Sequence, residues 1–169
     1  MHVSDVIKLW VLAILVSVMG CRSAGPDVPK ARDGSLDLSQ WNFERDGAAS
    51  LGGQWHFWWD QLLEPEAFMG DALPPGSTSI DVPSSWVTYL DENGVERERP
   101  HLGIATYALE IEMPSALNSS VVLTNLKMRG SFEVWLLQDK RVIGHTSVGK
   151  VGTTAEESEF SQGRFQILQ

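Results

Sequence analysis

The alternation of apolar and polar residues is strongest in the segment 51–59, which is also rich in aromatic residues. In an extended chain Trp55 and Phe57 fall on one face, and His56 and Trp58 fall on the other. This period of two, with aromatic enrichment, predicts a β-strand that buries one face. We expect Trp55 and Phe57 to anchor the core and Trp58 to point outward.

Similar but shorter patterns recur along the chain, separated by turn signals such as Asp46-Gly47 and Asp91-Glu-Asn-Gly94. A short helix is predicted to begin at Pro65, and the stretch from Ser84 to Arg99 is predicted to be irregular. Short strands between turns with one short helix predict an all-β sandwich or jelly roll. Further strands are expected at 36–43 (weakly), 79–82, 103–113, 120–126, 131–137, 141–146 and 163–168.

The first residues of the chain have the character of a signal peptide. Leu9–Met19 is apolar and uncharged, and it is shorter than the roughly 20 residues that a membrane-spanning helix requires. The end of this run and the next two residues, Val18-Met-Gly-Cys21, resemble a bacterial lipobox. In a lipobox, cleavage precedes a cysteine that carries lipid. An ordinary signal peptide and an uncleaved anchor with a free cysteine are the alternatives.

We therefore expect three parts: a signal peptide of lipoprotein type at 1–20, a flexible tether at 21–35 and a jelly-roll domain at 36–169. The tether follows from the glycine, proline and charged residues after Cys21. Lipid on Cys21 would hold the domain at a membrane outside the cytoplasm, in the periplasm, where the outer membrane is one of the two possible membranes.

Composition excludes several function classes. The 169 residues carry a formal charge of −9 and no cluster of lysine and arginine, which argues against nucleic acid as a partner. The single cysteine excludes an internal disulfide and a multi-cysteine zinc site.

The chain lacks the phosphate-loop, nucleophile-elbow and His-Glu-x-x-His motifs. We predict no catalytic residues, no cofactor and no metal site. His56, His101 and His145 have no metal-ligand spacing, and Asp60 with Glu64 more readily supports the start of a short helix than catalysis.

Four candidate ligand-binding residues lie in or beside the predicted irregular stretch, because loops on rigid sandwiches often carry function, and Trp58, outward by parity, could join them. Aromatic rings can stack on a sugar, and planar polar groups can fix its hydroxyls. Trp86 has core packing as its competing role, and Arg97 and Arg99 have surface pairing with Glu96 and Glu98. The candidates are Trp58, Trp86, Arg97, Arg99 and His101.

Several motifs occur in an order found in a known module. They are Leu51-x-Gly-x-Trp-x-Phe57, Val82-Pro-x-Ser-Trp86, Gly103-x-Ala-Thr-Tyr107, Phe132-Glu-Val-Trp-Leu136 and Ser147–Gly152. This order resembles the galactose-binding-like jelly roll of glycoside hydrolase family 2. It is more similar still to the extracellular domain of bacterial seven-transmembrane receptors with diverse intracellular signalling modules.

The resemblance implies an exported, non-enzymatic module that senses or binds a small-molecule or carbohydrate-like ligand. Two alternatives stand beside it: a carbohydrate-binding accessory fragment of a glycoside hydrolase, and a structural lipoprotein without a ligand. In the receptors the module continues through further strands, and this sequence stops at Gln169. We therefore expect a jelly roll without its last strands, with a sheet edge that a partner protein could cover.

Overall fold

The computed structural model describes residues 28–91, 93–115, 122–124, 128–154, 157–159, 162–163 and 166–168. The regular structure of this part of the chain consists mostly of short strands with very little helix, which confirms the all-β prediction. Its helical segments are α1 (Phe43–Asp46) and a 3₁₀ turn (Pro65–Phe68), the latter at the predicted helix. The strands are β1 (Ser35–Asp37), β2 (Gly53–Trp59), β3 (Thr78–Val82), β4 (Thr88–Leu90), β5 (Glu96–Glu98), β6 (Ala105–Ala108), β7 (Glu110–Glu112), β8 (Val122–Thr124), β9 (Met128–Arg129), β10 (Phe132–Gln138), β11 (Arg141–Val148), β12 (Gln162–Gly163) and β13 (Gln166–Leu168).

Strand β2 is the centre of an antiparallel three-stranded sheet with the order β3-β2-β6. Phe57 lies opposite Thr78 on one side and opposite Tyr107 on the other. The strand predicted from the alternating pattern is therefore confirmed, and its register brings the rings of Phe57 and Tyr107 within 5.0 Å, edge to face. Such aromatic pairs contribute beyond the area that they bury.

Both faces of β2 are covered, which differs from the sequence prediction. Phe57 is fully buried on one face, as expected, but Trp58 on the opposite face is also 0% exposed. The prediction that Trp58 points outward to solvent was wrong. Parity places the ring on the second face correctly, but it cannot reveal what packs there: Phe68 meets the indole edge to face at 5.3 Å, and the Pro74 carbonyl accepts its N–H at 3.2 Å.

The segment after β2 is held over that second face by a polar side chain of the sheet. The Thr106 hydroxyl donates to the Gln61 carbonyl at 2.8 Å and accepts from the Leu63 amide at 2.9 Å. These two bonds fix the chain that leads into the 3₁₀ turn. The cover over Trp58 is thus specified by hydrogen bonds as well as by apolar packing.

A separate apolar cluster surrounds the start of the domain. Leu36 on β1 is fully buried, and β1 pairs in parallel with β7. Ala31 is 2% exposed, bridges Gly53 and packs in the same cluster. The tether predicted for 21–35 is therefore too long at its C-terminal end, because residues from Ala31 onward belong to the fold. The other cluster members are Leu38 and Trp41, with Trp55, Leu109 and Ile111 packed against them.

The stretch from Ser84 to Arg99 was predicted to be irregular, and this prediction was wrong. It contains an antiparallel hairpin of β4 and β5. Tyr89 on β4 lies opposite Arg97 on β5. The hairpin turn is built on Asp91, whose carboxylate accepts the amides of Asn93 and Val95 at 2.9 Å each. The turn signal was recognised in the sequence, but its short flanking strands lacked a clear apolar alternation.

The remaining strands follow the predicted segments, but several of these segments are divided into shorter strands. β10 and β11 form the predicted hairpin, with Trp135 opposite His145. The strand expected over 103–113 is divided into β6 and β7, which pair with different partners. The signal peptide and Cys21 lie outside the described residues, as does part of the predicted 120–126 strand.

Replacement of Trp58 should test the double burial of β2. Trp58→Ala removes a fully buried indole, and we expect the free energy of unfolding to fall by about 3–5 kcal/mol. Leu102→Ala is the matched control, because Leu102 is 78% exposed and its loss should change stability by about 0.5 kcal/mol or less. Equilibrium denaturation measures both, and equal losses would contradict the packing described here.

Candidate functional site

The side chain of Arg99 lies inside a group of aromatic rings at one face of the central sheet. Its guanidinium carbon is 3.5 Å from the centroid of Tyr89, 5.3 Å from Phe57 and 5.7 Å from Trp59. Cations are attracted to ring faces at these distances, and arginine adds planar stacking. We call Arg99, Tyr89, Phe57, Trp59, Trp86 and Tyr107 the Arg99 cluster.

The β4–β5 hairpin delivers Arg99 to the cluster through the period of two of a strand. Arg97 and Arg99 share a face with Tyr89, while Glu96 and Glu98 fall on the other face. The Arg99 amide also donates to the Val87 carbonyl at 2.7 Å, which extends the pairing one step beyond β5. The acidic neighbours of Arg99 in sequence are therefore turned away from its side chain.

Trp86 joins the cluster from the residue that leads into β4. Its indole lies 5.5 Å from that of Trp59, centroid to centroid, with a tilt of 60°. The Trp86 carbonyl accepts a bond from Arg99 Nη1 at 3.3 Å, and the indole N–H donates to the Pro100 carbonyl at 3.3 Å. Both indoles remain partly exposed, so the cluster offers ring surface to solvent beside a cation.

A glycine makes room for Trp59. Gly103 lies against the far edge of this indole, and a Cβ at position 103 would overlap the ring. The Gly103-x-Ala-Thr-Tyr107 motif thus has a local physical role. It places the glycine against Trp59 and places Tyr107 against Phe57.

The positive charge of Arg99 affects the pKa of the Tyr107 hydroxyl. Burial raises the pKa of Tyr107 above its ordinary value, and the positive charge of Arg99 offsets part of that rise. The titratable group that the charge of Arg99 affects is thus a phenol and not a carboxylate. The cluster presents a cation, a hydroxyl and aromatic rings together.

Arg99 has no acidic partner among the residues that the structure describes. The carboxylates that bind arginines there are Asp46, with Arg45, and Asp91, with Arg97. A guanidinium has five N–H donors, and the described part of the chain provides one hydrogen-bond acceptor for that of Arg99, the Trp86 carbonyl. A partly buried cation in this state is an attractive position for an anionic group of a ligand.

The structure brings together two of the five predicted ligand-binding residues, Trp86 and Arg99. Arg97 instead pairs with Asp91 at 3.0 Å, with its side chain 57% exposed. The competing role, surface pairing of Arg97 and Arg99 with Glu96 and Glu98, is not seen in the described residues, because the strand period places these acids on the other face. His101 is exposed two residues beyond Arg99.

Trp58 lies on the opposite face of β2 from Trp59 and is enclosed there, so it does not reach the cluster. Four cluster members were not predicted as site residues from the sequence: Phe57, which was expected only as a core anchor, and Trp59, Tyr89 and Tyr107. A hairpin around the Asp91–Gly94 turn would have revealed Tyr89, because it sets Tyr89 opposite the alternating Arg-Glu-Arg segment.

Histidines and acids do not converge in the described residues, which contain no group of three or more His, Cys, Asp or Glu able to hold a metal ion. His145 stacks on Trp135 with ring centroids 3.7 Å apart, and its Nε2 lies 3.4 Å from Glu133. His56 lies 6.1 Å from the Trp58 ring. Each of these two histidines is thus engaged in a local aromatic contact.

A scan against protein-family models, a search of curated proteins and a search of solved structures found no match to this chain. In the described ranges, no helix is long and apolar enough to cross a membrane.

Titration of Tyr107 should test the geometry of the cluster. The chain has two tyrosines, so a Tyr89→Phe background keeps the stacked ring and leaves Tyr107 as the single phenol. Arg99→Ala in this background should raise the pKa of Tyr107 further, because the offsetting positive charge is lost. Arg97→Ala should leave the pKa unchanged, and ultraviolet absorbance of the phenolate reports both.

The same shift predicts how stability depends on pH. The pKa of Tyr107 is higher in the folded chain than in the unfolded one, so the folded state favours the neutral phenol. The resulting stabilisation is complete below the unfolded pKa of about 10 and is lost as the pH rises through the folded pKa.

An alkaline titration that lowers the pKa of Tyr107 in Arg99→Ala would contradict the contact.

Proposed function

We propose that this chain is a non-enzymatic binding module that holds a small ligand at the Arg99 cluster. The observation that carries the proposal is a partly buried arginine, stacked on Tyr89 and unmatched by an acid among the described residues. Trp59 and Trp86 supply ring surface beside it. Such a combination of apolar rings with few fixed polar groups is typical of small-molecule sites.

The placement of the cluster supports the same conclusion. Arg99 and Trp86 come from the ends of a hairpin, while Phe57 and Trp59 come from the central strand, which is fixed on both faces. Adaptable loops on a rigid scaffold are the usual arrangement for recognition. The jelly-roll architecture and the relationship to receptor extracellular domains, inferred from motif order, belong to this proposal; in that setting a ligand signal would pass to a partner protein.

Ligand titration tests the binding function directly. A panel of neutral sugars, sugar acids and small carboxylates is screened by thermal shift and tryptophan fluorescence. A true ligand at about 100 times its dissociation constant should stabilise the fold by about 2.7 kcal/mol. Trp86→Ala should weaken binding about 10-fold or more, a loss of about 1.4 kcal/mol or more, and Trp135→Phe, outside the cluster, should not.

Two results would argue against the proposal. One is the absence of any stabilising compound at millimolar concentration. The other is a ligand whose affinity is equally reduced by Trp86→Ala and Trp135→Phe, because that would place binding elsewhere. Unfolding curves of both variants, recorded without ligand, separate a loss of binding from a loss of fold.

We propose further that Cys21 carries lipid and anchors the module outside the cytoplasm. The support is the apolar run Leu9–Met19 followed by Val18-Met-Gly-Cys21, which contains the chain's single cysteine. Acyl chains contribute about 0.8 kcal/mol for each buried methylene, so two or more chains give stable attachment.

Cys21→Ser should abolish labelling by radioactive palmitate and release the protein from the membrane fraction, because the acceptor thiol is gone. Ser23→Ala, two residues further along, should remain labelled. Membrane retention of an unlabelled Cys21→Ser protein would instead indicate an uncleaved apolar anchor.

A further inference from the structure

We infer that the ligand of the Arg99 cluster carries a carboxylate on a saturated ring, as a sugar acid does. This inference rests on the proposed binding function and narrows it to one chemical class. It follows from the lack of an acidic partner for Arg99 in the described residues, from the donors that its guanidinium keeps there without an acceptor, and from the ring surface beside them.

The first observation is the isolation of the positive charge. Arg45 and Arg97 each have a carboxylate within 3.0 Å, whereas Arg99, the more buried of the three, has none among the described residues. The chain carries a formal charge of −9, so acids are abundant, and yet the hairpin turns Glu96 and Glu98 to its other face. No carboxylate of the described residues therefore occupies the place that an anionic ligand group would take beside Arg99.

The second observation concerns geometry. The guanidinium carbon lies 3.5 Å from the centroid of the Tyr89 ring, so this ring covers one side of the group. Nη1 donates to the Trp86 carbonyl, while the other donors have no acceptor in the described part of the chain. Edge donors of arginine match the two oxygens of a carboxylate.

The third observation is the surface beside the guanidinium. The tilted indoles of Trp59 and Trp86 are partly exposed, and they suit the C–H faces of a saturated ring. Tyr107 lies edge to face against Phe57 in the same cluster, and a phenol can both donate and accept a hydrogen bond. A sugar acid presents all three complements: carboxylate, apolar ring face and hydroxyls.

The experiment uses isothermal titration of the full chain with three matched probes: D-galacturonate, its neutral methyl ester and D-galactose. We expect galacturonate to bind at least 10-fold more tightly than either neutral probe. Arg99→Lys keeps the charge but loses the planar fork, so it should weaken galacturonate binding by about 10-fold and leave the weak neutral binding unchanged. Arg141→Ala, an exposed arginine on β11, is the control and should retain the wild-type affinity.

Each outcome has a distinct meaning. Equal binding of the acid and its ester, abolished by Trp86→Ala, would overturn the carboxylate inference and leave the binding function intact. Binding of all three probes that survives Trp86→Ala would overturn both the site and the inference. No binding by any probe would overturn the sugar-acid class, and the wider ligand panel would then decide the binding function. A trimer of galacturonate, run in parallel, distinguishes a free sugar acid from a residue within a polymer.

Discussion

Burial of both faces of β2 is the constraint on which the rest of the fold depends. One face must accommodate Phe57 and the other must enclose Trp58, and both side chains are fully buried. A strand with large rings on both faces is stable only between two covers. The 3₁₀ turn and the Pro74 loop form one cover, while the Arg99 cluster forms part of the other. The candidate site therefore belongs to one of the two layers that cover β2. Its arginine, Arg99, has no acidic partner among the described residues.

This double role explains why a cation sits among aromatic rings in an acidic protein. Arg99 ties the hairpin to the sheet by stacking on Tyr89 and by donating to the Trp86 carbonyl. Cation–π contacts of this kind contribute about 0.5–2 kcal/mol, enough to position the hairpin. They do not neutralise the charge, which remains available to an anion. Arg99 thus takes part in the packing of the hairpin and is also the cation of the candidate site.

The sequence predicted the elements better than their surroundings. Strand β2 and the β10–β11 hairpin follow from alternation and turn chemistry, which are local properties. The enclosure of Trp58 depends on Phe68 and Pro74, residues that the period of a strand cannot place. Arg99 was selected as a ligand residue for its type and position. Its aromatic partners were missed, because the weak apolar pattern of β4 and β5 concealed a hairpin.

The alternation of glutamate and arginine along β5 makes the sign of the cluster's charge a matter of register. Glu98 and Arg99 are neighbours on opposite faces, so a shift of one residue exchanges which of them meets Tyr89. A single insertion or deletion in the Asp91–Gly94 turn would thus bring a glutamate of β5, and not an arginine, to the face that meets Tyr89. The charge of the cluster would change from positive to negative although no residue of β5 is replaced.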